Sequence, residues 1–247
     1  MVPANHESSN TRAGPDWPEI FSRLKARAGP PLLRDFYARG TVSGDTPIAD
    51  VPFVALDLET TGLNAARHGI VSIGLVPFTL ARIHYPQSRY WLLRPRRPLS
   101  DESIAIHQIT HDDLRRAPDL GEILPDFLDE LAGRIAVVHY RGLERPFVRR
   151  AVRERLGEGV EFPLVDTMEL EARVHRRWQN GSIAHFFNRL FGRHPESIRL
   201  SQSRARYNLP FYRAHHALTD ALASAELLQA QIAYRFSPQT PIREIWH

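Results

Sequence analysis

Two carboxylates spaced two residues apart, directly after an apolar run, are the clearest candidates for chemistry in this chain. The segment reads Asp57-Leu58-Glu59-Thr60-Thr61-Gly62-Leu63. Residues two apart on a strand project from the same face, so Asp57 and Glu59 should lie side by side. Neighbouring buried carboxylates repel each other and are costly unless a cation neutralises them. Hard divalent cations prefer oxygen ligands, so the pair predicts a metal site; an edge strand carrying two solvated acids is the alternative.

A second candidate lies at the predicted start of the last helix. The chain there reads His215-His216-Ala217-Leu218-Thr219-Asp220. Small residues around Asp220 would let this helix approach a sheet closely, and His215 precedes the helix and is free to face a site. Taken alone, a histidine five residues before an aspartate is more typical of a cap or a surface pair.

The elements that must position these residues follow from hydrophobic periodicity and turn residues. Strands are predicted at 53–58, 70–76, 89–93 and 135–138 and around Val165. Helices are predicted on both sides of Gly29-Pro30-Pro31, after a capping box of Thr110 and Asp113, and at 120–131, 168–177, 183–191 and 198–207. A further helix should have Pro146 in its first turn and end near 156, and the last should start near 217. Strands first and alternating helices later predict a mixed sheet.

Composition bounds the class of protein. The chain has 247 residues and no cysteine, which excludes disulfides, thiol catalysis and zinc–cysteine or iron–sulfur sites and fits the cytoplasm. It has neither a signal-peptide pattern nor an apolar run that could span a bilayer, so no membrane contact is expected. We expect a partly disordered helical arm and linker at 1–50, the main domain at 51–235 and a tail at 236–247. All 32 basic residues except Lys25 are arginine, which leaves nucleic acid open as a partner.

The order of the two motifs resembles the DEDDh 3′–5′ exonucleases, and in particular the epsilon-type proofreading subunits of bacterial DNA polymerase III and their stand-alone relatives. The resemblance spans about residues 50 to 233. It includes the segments Ile106-His107-Gln108-Ile109-Thr110 and Val165-Asp166-Thr167. It implies a ribonuclease H-like α/β fold, with a mixed five-stranded sheet flanked by helices.

The resemblance also implies a two-metal-ion site for phosphodiester hydrolysis, with Mg²⁺ or Mn²⁺ as cofactors. Asp57 would bridge both ions and Glu59 would bind the ion nearer the attacking water, while Asp220 and Glu144 complete the ligand set. His215 would be the general base. The substrate-binding residues would be those of the loop after the first strand, with Leu63 as a wedge, and His107: Thr60, Thr61, Gly62, Leu63 and His107.

Glu144 departs from the family pattern, which has an aspartate after an aromatic residue at this point. Here Leu143 and Glu144 occupy the two positions. The longer carboxylate would ligate metal directly or through water. In the alternative reading it only pairs with Arg141 or Arg145 at a helix N-terminus. Asp166 is interpreted as structural rather than catalytic.

Three functions stay open from the sequence. The first is a 3′–5′ exonuclease that releases 5′-nucleotides from nucleic-acid 3′ ends, with single-stranded DNA favoured. The second is a catalytically weak or inactive binding subunit of the same fold, and the third is an exoribonuclease. A polymerase or another protein is a candidate partner. Two arginine-containing stretches, at 94–98 and 199–213, are candidate phosphate contacts, with solvated turns and ordinary packing as the alternatives.

Overall fold

The computed structural model describes residues 14–97, 104, 105, 107–179 and 197–247, without the side chains of 174–179. The predicted helix at 183–191 and almost all of the segment predicted to be disordered lie outside the described residues.

A five-stranded sheet organises the described chain. Its strands are β1 (Phe53–Thr60), β2 (Ile70–Phe78), β3 (Arg89–Leu92), β4 (Ile135–Val138) and β5 (Leu164–Asp166). They lie in the order β3-β2-β1-β4-β5, with β2 antiparallel to β1 and β3 and with β4 parallel to β1 and β5. The mixed five-stranded sheet predicted from the sequence is confirmed. Because β1 is the central strand, the alternative of an edge strand with two solvated acids is wrong.

Helices cover this sheet. They are α1 (Trp17–Arg27), α2 (Pro31–Ala38), α3 (His111–Leu114), α4 (Leu120–Leu131), α5 (Arg141–Leu156), α6 (Thr167–Gln179), α7 (Leu200–Arg206) and α8 (Ala217–Arg235). The capping box of Thr110 and Asp113 is present at α3, and α4 has the predicted bounds. None of the helices within the described ranges is both long and apolar enough to cross a membrane.

The start of α5 differs from the prediction, which put Pro146 in the first turn. The helix begins at Arg141, so Pro146 is its sixth residue and Glu144 lies in the first turn. The cause is a long-range cap, because Asp166 at the end of β5 accepts a hydrogen bond of 3.0 Å from the backbone N–H of Arg141. Local sequence carries no sign of that contact.

The N-terminal helices and the C-terminal residues pack on the same core as the sheet. Trp17, Phe21 and Trp246 are buried in one cluster with the residues of β1 and β4. The Trp17 indole donates a hydrogen bond of 3.1 Å to the carbonyl of His247, and Ile48, inside the predicted linker, is fully buried. The domain division at 50 and 235 stays a prediction, and the described part of the arm packs on the same core as the sheet.

Candidate active site

The central strand sets the first two carboxylates. Asp57 pairs in register with Gly74 of β2, and Glu59 pairs with Ser72. The two side chains therefore share one face at the carboxyl end of β1, as the spacing predicts. The pairing becomes irregular between Glu59 and Thr60, where β1 ends. The Glu59 side chain is buried although it carries a carboxylate.

Gly74 lets the last helix reach these carboxylates. A Cβ atom at Gly74 would lie 2.3 Å from the carbonyl carbon of Ala217, so any larger residue would push α8 away from the sheet. The first turn of α8 therefore lies directly on β2, beside the register partner of Asp57. This contact confirms that small residues bring Asp220 to the sheet. The sequence analysis missed Gly74, although a lone glycine inside a strand is a known sign of close backbone approach.

Glu59, His215 and Asp220 converge on one point. Each offers a ligand atom, and these atoms all lie within 4.8 Å of one another. The Asp220 carboxylate accepts a hydrogen bond of 2.7 Å from the backbone N–H of His215. His215 is exposed and has a φ of +69°, in the left-handed region that non-glycine residues rarely adopt. Such strain at a single residue is typical of a functional constraint.

The position of Glu144 decides between its two interpretations. Its side chain is buried, and within the described part of the chain its Oε2 has no hydrogen-bond partner. Arg141 instead pairs with Asp166 at 3.3 Å. The guanidinium of Arg145 donates to the carbonyls of Phe162 and His247 at 3.0 and 2.7 Å. The ion-pair interpretation of Glu144 is therefore wrong, because both candidate arginines are engaged elsewhere.

The carboxylates raise each other's proton affinity. Burial, followed by the charges of Asp220, Glu144 and Glu59, raises the pKa of Asp57 well above its ordinary value. Burial and the charge of Asp220 raise the pKa of Glu59 to about 7. Burial likewise raises the pKa of Glu144 and of Asp220. The cluster is therefore short of positive charge.

This donor set fits divalent cations. Buried carboxylates without basic partners are stable only when they are protonated or neutralised by a cation. The orphaned Oε2 of Glu144 is one coordination position that protein groups leave open. Oxygen ligands with at most one imidazole are the set that Mg²⁺ and Mn²⁺ prefer.

The loop after β1 carries the predicted substrate residues. Thr60 donates to the carbonyl of Gly62 at 2.8 Å, and the N–H of Thr61 donates to the carbonyl of Gly69 at 2.9 Å. A Cβ atom at Gly62 would lie 2.7 Å from the imidazole of His68, so glycine is required there. The Leu63 side chain is 85% exposed. The loop is thus fixed by its own hydrogen bonds, and it presents one apolar side chain.

His107 lies beside the general-base candidate. Its Nδ1 accepts a hydrogen bond of 3.0 Å from the N–H of Ile109, which assigns the proton of the neutral ring to Nε2. Among the described residues that Nε2 has no partner, although it is buried. Burial and the charge of His215 lower the pKa of His107, which indicates that the two imidazoles are close. His107 therefore bonds locally at one nitrogen and leaves an N–H donor free at the other.

Asp166 has a structural role, as expected. Its Oδ1 accepts from the N–H groups of Met168 and Glu169, and its Oδ2 accepts from Arg141. One buried carboxylate thus caps the N-termini of both α5 and α6, which leaves it no free oxygen for a metal.

The prediction that the 199–213 stretch forms a phosphate channel is wrong for three of its residues. Arg204 and Tyr207 are buried, and Arg206 pairs with Glu171 at 2.9 Å. Arg199 and Arg213 are exposed. In the other arginine-containing stretch, at 94–98, Arg96 pairs with Asp119 at 3.2 Å.

Two aromatic features next to the site were not identified from the sequence. The ring of Tyr90 on β3 stacks on that of His216, with centroids 4.9 Å apart and planes 14° apart. A cavity of about 490 Å³ adjoins the carboxylates, and its wall includes Phe211. Asp57, His215 and Asp220 line the same cavity. Neither aromatic belongs to a periodic pattern, so only the folded chain brings them to the site.

Comparisons with known proteins define the family. The family model described as Exonuclease (RNase_T) matches residues 54–228, so the chain belongs to the exonuclease family. This confirms the assignment to DEDDh-type 3′–5′ exonucleases that the motifs imply.

Individual relatives agree with that assignment. The chain is 30% identical over 184 residues to the DNA polymerase III subunit epsilon of Treponema pallidum, covering 74% of this chain and 78% of the relative. It is 33% identical over 129 residues to the PolC-type DNA polymerase III of Thermotoga maritima, covering 52% of this chain but only 9% of that protein. The nuclease domain of 3′hExo, a DEDDh family member bound to rAMP, superposes with a TM-score of 0.57 at 15% identity, covering 74% of this chain and 92% of that one. That likeness shows the ribonuclease H-like fold.

Proposed function

We propose that this protein is a metal-dependent 3′–5′ exonuclease that hydrolyses phosphodiester bonds at nucleic-acid 3′ ends and releases 5′-nucleotides. The observation that carries the proposal is the cluster of Asp57, Glu59, Glu144 and Asp220. Its carboxylates lie around the end of the central strand, and within the described part of the chain they lack the arginine partners that the buried Asp166 and Glu171 have. An exposed imidazole, that of His215, lies against them.

Each carboxylate has a role that follows from its place. The negative charges of the other three carboxylates all act on Asp57, so it is the ligand placed to bridge two ions. Glu59 and Asp220 flank it on β1 and α8, and Glu144 closes the site from the first turn of α5. Mg²⁺ or Mn²⁺ ions held by these carboxylates would supply charge stabilisation for the attacking and leaving oxygens.

The proton of the attacking water goes to His215. Its ring is exposed, and the backbone N–H to Asp220 fixes the residue at the edge of the cluster. A positioned imidazole is an efficient general base. The free Nε2–H of His107 is a donor for the terminal nucleotide, and Leu63 is the apolar wedge against its base.

DNA is the favoured substrate, with the single-stranded 3′ end as the reactive form. The epsilon relative is named as a subunit of DNA polymerase III, which also supports a polymerase as a candidate partner. RNA is the second candidate, because the 3′hExo structure is named as bound to rAMP. A cytoplasmic location stays a prediction of the composition.

The hypothesis of a binding subunit without catalysis depends on Glu144, because the family pattern has an aspartate at this position. The carboxylate of Glu144 is buried, and its Oε2 has no hydrogen-bond partner among the described residues, which supports ligation of metal over this alternative. We therefore favour the enzyme.

The proposal is tested by digestion of matched 5′-labelled DNA and RNA oligomers with a free 3′ end. With Mn²⁺ we expect stepwise shortening from the 3′ end, and with EDTA no shortening. Asp57→Asn is the matched control, because it removes a charge without changing side-chain shape. Intact oligomers after long incubation with the parent would exclude the enzyme, and equal shortening by Asp57→Asn would indicate a contaminant. The ratio of DNA to RNA rates decides the substrate.

A further inference from the structure

Phe211 is an aromatic side chain that the fold leaves in solvent beside the carboxylate cluster. It is 85% exposed. It lines the cavity of about 490 Å³ whose wall also contains Asp57, His215 and Asp220. Burial of a phenylalanine side chain is worth about 1.5–3 kcal/mol, and this ring, next to a reactive site, is free to gain that amount from a bound ligand.

The residues on both sides of Phe211 are held by one buried arginine. Arg204 donates a hydrogen bond of 2.9 Å to the carbonyl of Pro210, and its guanidinium lies 4.5 Å from the centroid of the Tyr212 ring. The Tyr212 hydroxyl donates to Glu226 at 2.9 Å, and the same Glu226 pairs with Arg204 at 2.7 Å. The chain is therefore held on both sides of Phe211, and the exposed ring projects from a fixed segment.

The surroundings of the ring match a nucleic-acid strand. Arg199 lies on the same cavity wall, and Arg213 is exposed two residues after Phe211. An aromatic ring next to positive charge is the combination with which proteins hold single strands, because the ring stacks on any base and the cations contact phosphates. An apolar side chain of a protein partner is less suited to this cavity, because the carboxylates of Asp57 and Asp220 line it.

We propose that Phe211 stacks on an unpaired base of the substrate strand, next to the nucleotide being hydrolysed. The inference rests on the proposed function and adds to it the side chain that would recognise an unpaired 3′ end without base specificity. In a duplex the bases are already stacked on each other, so the ring would gain a partner only where the end is single-stranded. Phe211 is then a substrate-binding residue, distinct from the carboxylates and from Leu63.

The test compares Phe211→Ala, Phe211→Trp and a control, Tyr85→Ala. Tyr85 is 50% exposed and lies in the connection between β2 and β3. For a single-stranded thymidine octamer, Phe211→Ala should raise KM by about 5- to 150-fold, the effect of losing one stacked base, with kcat changed little. Phe211→Trp should restore KM, and Tyr85→Ala should match the parent. Hydrolysis of thymidine 5′-(p-nitrophenyl phosphate), which has no second base, should be unchanged in all variants.

Binding of the octamer to metal-free protein separates failure of this inference from failure of the proposed function. Phe211→Ala should raise Kd by a similar factor, and the fluorescence of Phe211→Trp should be quenched by the octamer but not by a blunt duplex. If the parent hydrolyses neither substrate, the proposed function fails, and the binding data alone decide the inference. Equal Kd in parent and Phe211→Ala, or a parent that binds no octamer, would overturn the role of Phe211.

Discussion

Two groups of buried acids in this chain are built in opposite ways. On α6, Glu171 accepts hydrogen bonds from Tyr207 at 2.7 Å, from Gln231 at 2.8 Å and from Arg206 at 2.9 Å. Burial opposes its ionisation, but these hydrogen bonds lower the pKa of Glu171 below its ordinary value. At the end of β1, by contrast, burial and the charges of neighbouring carboxylates raise the pKa of Asp57 and Glu59, and burial raises that of Glu144.

The difference separates acids that hold the fold from acids that serve a reaction. Glu171 ties α6 to α7 and α8, and its charge is satisfied within the chain. The β1 carboxylates form few such bonds and gain stability only when something from outside neutralises them. A buried acid alone is therefore not a sign of a site, whereas a group of acids without partners is.

The largest effect on this comparison should come from Asp57→Asn. Turnover should be abolished because the proposed bridging ligand is lost. In EDTA the variant should melt above the parent, because one repelling charge is removed. Mn²⁺ should raise the melting temperature of the parent more than that of the variant, as measured by differential scanning fluorimetry. An active Asp57→Asn would rule out the two-ion arrangement.

Replacement of His215 should cost less, because the metal ligands stay. A positioned general base contributes about 10²–10⁴-fold, so His215→Ala should lower kcat by that factor and leave Mn²⁺ binding nearly intact. His216→Ala is the matched control. It removes the stack on Tyr90 but no proposed proton acceptor, so its rate should stay within about tenfold of the parent. The reverse order of the two variants would mean that the general base is assigned to the wrong histidine.

Glu144 sharpens the comparison, because it is the ligand that differs from the family pattern. Glu144→Gln should lower the cleavage rate by about 10²–10³-fold, close to the effect of Asp220→Asn, and should require more Mn²⁺ for half-maximal rate. Glu144→Asp should keep part of the activity. Single-turnover rates over a Mn²⁺ titration check this, and a Glu144→Gln curve that overlays the parent would leave a site of three carboxylates.

Glu171→Gln should show the opposite behaviour from the cluster variants. It keeps the shape of the side chain but removes the charge that Arg206 pairs with, so the free energy of unfolding should fall by about 2–3 kcal/mol. The Mn²⁺-induced rise in melting temperature and the cleavage rate of the folded protein should stay at parent values. Urea unfolding with and without Mn²⁺ measures the loss of stability and the response to Mn²⁺. Loss of the Mn²⁺ response would mean that Glu171 and the carboxylates at the end of β1 belong to one site.

The smallest effect concerns pH and a residue that contacts both regions. His139 lines the same cavity as Asp57. Its Nδ1 lies 2.8 Å from the hydroxyl oxygen of Thr167, and the backbone carbonyl of Thr167 accepts a hydrogen bond from Gln231. Burial lowers the pKa of His139 to about 4. The unfolded chain therefore binds a proton at this histidine below about pH 6.5 that the folded chain does not, and stability is lost as pH falls toward 4.

His139→Gln isolates that contribution from those of other titrating groups. The stability advantage of the parent over the variant should shrink by roughly 2–3 kcal/mol between pH 7.5 and pH 4. Urea denaturation at several pH values in EDTA gives the difference directly. A pH-independent difference would mean that the pKa of His139 is the same in the folded and the unfolded protein.

Those parts of the fold and of the candidate site that depend on local signals could be predicted from the sequence. Alternating and apolar runs located the strands, Gly29-Pro30-Pro31 separated the arm helices, and the spacing of Asp57 and Glu59 put both on one face. Contacts between distant segments were not readable. The cap from Asp166 moved the start of α5, and the packing of Ala217 on Gly74 brought α8 to the sheet.

Arginine gave the least reliable local signal. Arg204 and Arg206, in a stretch predicted to contact phosphate, pair with Glu226 and Glu171, because a guanidinium binds a carboxylate as readily as a phosphate. Phe211, in the same stretch, stays exposed. Which member of such a segment faces a ligand depends on the partners that the fold brings to it.

Calorimetric titration of Mn²⁺ into the metal-free parent, Asp57→Asn and Glu171→Gln at one pH tests the central claim most directly. We predict that the parent binds two ions, that Asp57→Asn loses at least one of them, and that Glu171→Gln binds as the parent does. Absence of saturable Mn²⁺ binding to the parent, or equal binding by the parent and Asp57→Asn, would contradict the assignment of the unpaired carboxylates as a metal site.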